Sequence, residues 1–266
     1  MSTAFICETC GVQHAPSDAP PEGCAICLDF RQYVAAGGQR WTHLEALRAD
    51  RRFDIRELEP GLHGIGLDPP LGIGQRALLV RTPAGNLLWD CVPLLDPPAI
   101  AALGGVAAIA ISHPHFYSTF ADWSLEFDVP VWLPRADAAF RMRSDGRIVE
   151  WEGSAEPLPG LRLVQAGGHF DGNSVLLWPE GAEGRGALFT ADTVSVAADP
   201  RWVSFMRSYP NLLPLGPRGL GGIVAALEPL AYDRLYSSWW EKLVPAGAKE
   251  VVGRSAERYL RQLGEG

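Results

Sequence analysis

From Leu62 onward the apolar residues come in short runs with the spacing of strands, not in long helical stripes. Leu62–Leu67, Ala77–Arg81 and Asn86–Asp90 are separated by turn signals at Asp68-Pro69-Pro70 and Pro83-Ala84-Gly85, the punctuation expected between strands. Val106–Ile111, Val129–Leu133, Arg147–Trp151, Leu161–Gln165 and Arg234–Ser237 read the same way. Ser174–Trp178 and Ala187–Thr190 read as a hairpin across the Gly-rich turn 181–186. Between them, Pro98–Leu103, Thr119–Phe127, Arg135–Arg143, Pro217–Leu227 and Ser255–Leu263 have helical character. Upstream, Trp41–Arg51 places Trp41, Leu44 and Leu47 at helical spacing and predicts an amphipathic helix. Helices that alternate with partly hairpin-linked strands predict an α/β (α+β) sandwich, not a purely parallel sheet. There is no internal repeat or low-complexity segment.

Composition narrows the class. The chain has 266 residues, 47% hydrophobic and 20% charged, with a formal net charge of −8. That is a folded globular composition, long enough for one domain and an appendage. No Lys/Arg block provides the basic footprint of a phosphate-backbone binder, so nucleic acid is not an expected partner. The longest apolar runs are far too short to cross a bilayer, and no membrane association is expected. Met1–Cys10 has neither the basic start nor the apolar stretch of a signal peptide, which leaves a cytoplasmic location as the expectation.

Four of the five cysteines form Cys7-x2-Cys10 and Cys24-x2-Cys27. Without an export signal, thiolate coordination is a better reading of such pairs than disulfides or a redox couple. Two Cys-x2-Cys turns close a tetrahedron around Zn²⁺ at about 2.3 Å per Zn–S bond. The polar, Pro-rich loop between them has little to fold on, and the metal supplies the missing core. Residues 1–40 are therefore read as a four-cysteine, zinc-ribbon-like knuckle with a structural Zn²⁺, and residues 41–266 as the main domain. A closed four-thiolate shell suits structure or docking, and the knuckle is a candidate contact for a protein partner or a homodimer. Cys91 reads as a small buried apolar residue.

The chemistry gathers elsewhere. His113-Pro114-His115 follows the apolar run Val106–Ile111, Gly167-Gly168-His169 follows Leu161–Gln165, and Thr190-Ala191-Asp192 follows Ala187–Phe189. Residues i and i+2 of an extended segment point the same way, so His113 and His115 can share one ion. Pro114 fixes φ between them, and the two glycines allow a tight backbone path at His169. Taken singly, each is a common core histidine or turn aspartate. Three of only six histidines, all at strand ends, make a shared metal site the better reading.

The order Leu87-Leu88-Trp89-Asp90, Ser112-His113-Pro114-His115, Gly167-Gly168-His169, Thr190-Ala191-Asp192 resembles the metallo-β-lactamase superfamily, over roughly residues 60–240. The resemblance implies a four-layer αββα sandwich with metals along one edge of its two sheets. Members usually carry His-x-His-x-Asp-His, a third His, a bridging Asp and a final His. Here Tyr117 and Ser118 replace the Asp-His pair, and Tyr236-Ser237-Ser238-Trp239 lies where the final His is expected. All private ligands of a second metal are missing. The resemblance thus implies one ion on His113, His115, His169 and Asp192, with Zn²⁺ fitting the donor set and Fe²⁺ or Mn²⁺ as alternatives.

Three functions follow. The first is a metal-dependent hydrolase of a small-molecule ester, thioester or lactone. In it Asp122 is a candidate base, or else an exposed helix carboxylate, and Tyr117 is a candidate oxyanion donor, or else a plug in the vacated second site. Trp202, Arg207 and Tyr209 are candidate substrate contacts. The second is a mononuclear iron dioxygenase acting on a persulfide through His113, His169 and Asp192. The third is an inactive scaffold used for binding.

Overall fold

The computed structural model describes residues 2–264. Two mixed sheets face one another. The first has seven strands, and its spatial order follows the chain: Arg52–Glu59, Leu62–Asp68, Ala77–Thr82, Gly85–Trp89, Ala108–Ala110, Pro130–Pro134 and Arg147–Trp151. The first four pair antiparallel and the last four pair parallel. The second sheet has six strands, in the order Ser154–Leu158, Leu161–Gln165, Ser174–Trp178, Ala187–Phe189, Arg234–Tyr236 and Leu243–Val244. Only Ala187–Phe189 and Arg234–Tyr236 run parallel within it.

The period-2 pattern decides which side chains fill which layer. Leu78, Val80, Leu87, Trp89, Ala108 and Ala110 face Leu163, Leu176, Trp178, Ala187 and Phe189 between the sheets. Their neighbours point outward. Ala77, Leu79, Leu88 and Ile109 pack with Ile100, Phe120 and Trp123 from the helices Pro97–Ala102 and Phe120–Phe127. On the other side Val175, Leu177 and Leu188 meet Leu220, Ile223, Val251 and Val252 from the helices Pro217–Leu227 and Ala248–Gln262. The central strands are thus apolar on both faces because each sheet is covered twice, which gives the αββα sandwich. Truncating a side chain of the middle layer, such as Phe189, should cost about 3–5 kcal/mol.

The N-terminal knuckle is built into this body. Ile6–Cys7 pairs with Trp41–Thr42, and the four cysteines belong to the same apolar cluster as Leu79, Phe116 and Trp123. Gly11, at φ +79°, lies so close to Pro93 that a Cβ would come within 3.3 Å of its ring. Gln13 donates to Asp122 (2.8 Å) and accepts from Arg143 (2.5 Å), fastening the knuckle to the helix Phe120–Phe127.

Several predicted elements shift. The helix expected over Trp41–Arg51 covers only Leu44–Asp50, because Trp41 and Thr42 are taken by the strand pair and His43 caps the helix through Ala46 N–H. Arg135–Phe140 is a short 3-10 segment instead of a longer helix: Asp137 leaves helical geometry, and its carboxylate accepts from Gly172 N–H at 2.9 Å. The last helix begins at Ala248, well before Ser255. Among the described residues no helix is long and apolar enough to cross a membrane.

Candidate metal centres

Two clusters of potential ligands stand out, and each is buried. The Sγ atoms of Cys7, Cys10, Cys24 and Cys27 all lie within 4.8 Å of one another, with Cys7–Cys27 at 3.6 Å and Cys10–Cys24 at 3.7 Å. A tetrahedral zinc with Zn–S bonds of about 2.3 Å holds its sulfurs roughly 3.8 Å apart, so the spacing fits. No disulfide links them. Gln39 braces the cluster, donating to Cys7 Sγ at 3.0 Å while its carbonyl accepts from Cys24 N–H at 3.2 Å. Hydrogen bonding from Cys10 is the main influence drawing the Cys7 thiol down to about 7.

The second cluster joins both sheets at one edge. His113 stands past the C-terminal end of Ala108–Ala110, in extended backbone, and His115 lies in the 3-10 turn Pro114–Phe116. Asp192 follows the strand Ala187–Phe189. His169 follows Gly167 and Gly168, both at positive φ; a Cβ on Gly168 would come within 2.6 Å of Ile223. Asp90 and Ala191 are non-glycine residues in the left-handed region, and such strain concentrates where backbone is bent to aim ligands.

One oxygen collects the imidazoles. Asp192 Oδ2 lies 3.3 Å from His113 Nε2, 3.9 Å from His115 Nδ1 and 3.7 Å from His169 Nε2, and His115 Nδ1 is 3.2 Å from His169 Nε2. Donors bonded to one zinc at about 2.0–2.1 Å sit roughly 3.3 Å apart, so these four atoms form a shell of the right size. His113 Nε2 is buried with no partner in the protein, a costly state that a cation at the centre relieves. Burial drops the His113 pKa to about 4 and His169 well below its usual value. Burial also opposes ionisation of Asp192, yet the imidazoles of His113, His115 and His169 packed around it hold its carboxyl well below the ordinary carboxylate range. Neutral imidazoles with an ionised carboxylate are the protonation states a metal needs.

A supporting layer fixes the tautomers. Ser112 donates through both N–H and Oγ to Asp90 Oδ1, at 2.8 Å each. With its hydroxyl proton so used, Ser112 Oγ accepts from His113 Nδ1 at 2.9 Å, leaving Nε2 as the ligating lone pair. His169 Nδ1 donates to Met206 O at 3.3 Å and likewise presents Nε2. Burial raises the Asp90 pKa to about 8, against the pull of the Ser112 bonds.

The cluster opens into a cavity of about 250 Å³, walled by His115, His169, Asp192, Tyr209, Trp239 and Tyr33 among others. Trp239, anchored by its indole N–H to Ile73 O at 3.0 Å, also borders a larger groove of about 880 Å³. That groove holds the ion pairs Arg52–Asp68 and Arg56–Asp54 and no cluster of metal ligands.

Several candidates lie apart from the cavity. Asp122 is tied into the Gln13–Arg143 network, at 2.5 Å from the guanidinium, and faces a different depression beside Leu44 and Arg48. Tyr117 is buried in the core, packs on Phe120 and donates to Asp137 O at 3.4 Å. It thus fills space in the core and does not line the cavity. Trp202 lies beneath Arg258 of the last helix, 3.6 Å from the ring centroid. Arg207 donates to Gly168 O, bracing the His169 loop. Tyr209 does line the cavity and donates to Asp192 O at 3.1 Å. Sequence reasoning missed Gln32, Tyr33 and Ile73; no motif marks them.

The chain is 44% identical, over 265 residues, to the uncharacterized protein YmaE of Bacillus subtilis (strain 168), covering 97% of this chain and 96% of that one. This chain belongs to the YmaE family. Among solved structures, the YmaE-family chain resembles a B3 metallo-β-lactamase with an active-site glutamic acid (TM-score 0.55, 16% identity, 83% of this chain and 93% of that one). It also resembles DIM-1 metallo-β-lactamase exposed to ceftazidime (TM-score 0.55, 11%, 79% and 98%). A third is the Cronobacter sakazakii metallo-β-lactamase with a HARLDQ motif (TM-score 0.51, 20%, 79% and 98%). The fold is therefore that of the metallo-β-lactamases. No protein-family model matches the chain.

Proposed function

We propose that this YmaE-family protein is a metal-dependent hydrolase of a small ester, thioester or lactone, working with a single ion at the His/Asp site. The observation that carries this reading is the convergence of four buried donors, drawn from both sheets, three of which line a cavity. An ion held there supplies a Lewis acid for the substrate carbonyl and acidifies a water. His113, His115 and His169 hold it as neutral ligands, and Asp192 adds the negative charge. With Asp122 engaged elsewhere, Asp192 Oδ1, the carboxylate oxygen without a partner, is the acceptor for the attacking water's proton. Tyr209 steadies that loop through Asp192 O, and Tyr209 and Trp239 wall the cavity. Convergence of all three imidazoles favours hydrolysis over an iron oxygenase, which uses a two-His-one-carboxylate face.

The test is turnover of a chromogenic ester, thioester and lactone panel by zinc-loaded protein, paired with elemental analysis. Chelator-sensitive turnover with two metals per chain supports the reading. No turnover by protein loaded with zinc, iron or manganese overturns it.

A further inference from the structure

The segment that follows Cys27 does not stay with the knuckle. It crosses to the His/Asp site and is clamped there. Ser208 Oγ donates to Arg31 O at 3.0 Å, and Asn211 Nδ2 donates to Phe30 O at 2.8 Å and Gln32 O at 2.9 Å. The Arg31 guanidinium is bidentate to Asp29, lies 3.7 Å from the Phe170 ring centroid, and reaches His169 O at 3.4 Å. So fixed, the segment places Gln32 and Tyr33 in the cavity wall beside His115, His169 and Asp192.

Gln32 is only 4% exposed, yet its Oε1 has no partner. An unmet buried acceptor is costly, and a donor on a molecule bound in the cavity that Gln32 lines would satisfy it. Tyr33 is 45% exposed at the mouth; with Tyr209, Trp239 and Ile73 it makes the rest of the wall aromatic or aliphatic. Phe30 and Leu212, exposed at 52% and 78%, continue the apolar surface outward.

We infer that Gln32 and Tyr33, delivered by the four-cysteine knuckle, are specificity-determining residues of the His/Asp site, selecting substrates with an apolar arm and an amide-like hydrogen-bonding group close to the scissile bond. The inference rests on the hydrolase reading for the word substrate, but the recognition itself is a matter of binding. The knuckle then acts as a recognition element whose position depends on its own metal shell.

The experiment is calorimetric titration of the zinc-loaded full chain with three hydroxamates: acetohydroxamate (head group alone), octanohydroxamate, and the equally long N-pentanoylglycine hydroxamate, which carries an amide in its arm. Wild type should bind octanohydroxamate at least tenfold more tightly than acetohydroxamate, and the amide analogue about fivefold more tightly again. Tyr33→Ala should abolish most of the gain from the arm, and Gln32→Leu the gain from the amide. Both should keep acetohydroxamate affinity, metal content and the far-UV spectrum of wild type. Affinity independent of the arm, or gains that survive both substitutions, overturns the inference. Arm-dependent binding without any ester turnover overturns only the hydrolase reading, while turnover with arm-independent binding overturns only this one.

Discussion

The two ligand clusters differ in donor chemistry, in ancestry along the chain and in access. The cysteine set comes from two short turns close in sequence, and its four buried sulfurs pack against one another, with Gln39 donating to one of them. The His/Asp set gathers from three distant segments after strands of both sheets and opens on a cavity. A closed shell of like donors makes a fold; an open shell of mixed donors, aimed by strained backbone and second partners, makes a reaction site. One protein contains both, and the first shapes the access to the second.

That contrast can be broken at four points, in decreasing order of effect. Cys24→Ala should remove the knuckle metal and much of the stability of the first 40 residues. Zinc in small four-ligand domains contributes about 10–16 kcal/mol, more than a domain's typical margin. Thermal melts and elemental analysis would show it, and a variant with unchanged metal content would remove the structural role. His169→Ala should abolish turnover and release only the second ion, with the knuckle ion retained. Asp90→Ala should act more gently. Losing the acceptor behind Ser112 frees the His113 ring, and second-layer changes of this kind weaken metal affinity or activity about 10–100-fold; a metal-buffer titration measures it.

The smallest effect lies outside both sites. Burial raises the Asp137 pKa to about 6 from 3.8, so ionisation above that range destabilises the fold. In Asp137→Asn the amide carbonyl still accepts from Gly172 N–H without the charge. The variant should melt higher by about 2–4 °C at pH 8, the shift expected per kcal/mol for a domain of this size. The gain should shrink as pH falls through 6 and vanish below about 3.8, where the wild-type carboxyl is neutral in both folded and unfolded chains. A gain that persists at pH 3.5 would point to packing instead of charge.

Much of this was legible in the residues because it rests on local patterns. Ser174–Trp178 and Leu161–Gln165 announce themselves as apolar runs between turns, and His113, His115, His169 and Asp192 each end such a run. Contacts between loops carry no such period. Nothing near Arg31-Gln32-Tyr33 signals that Asn211 will hold it, and Trp239 gives no hint that it will divide cavity from groove. Asp122 misled because seven residues past His115 is near in sequence, while its helix turns it toward Gln13 and Arg143. Arg135–Arg143 misled because its helical composition is overruled by Asp137, which serves the loop at Gly172.

The clamp between Phe30 and Asn211 spans 181 positions, and that span is also an interval of time. A ribosome adding about 5–20 residues per second needs roughly 10–40 s to reach the second partner after making the first. The knuckle can take up its metal early in that interval, while its trailing segment has nothing to grip until the second sheet has emerged. The pocket wall is therefore completed by a segment that has waited out that whole interval for its partner.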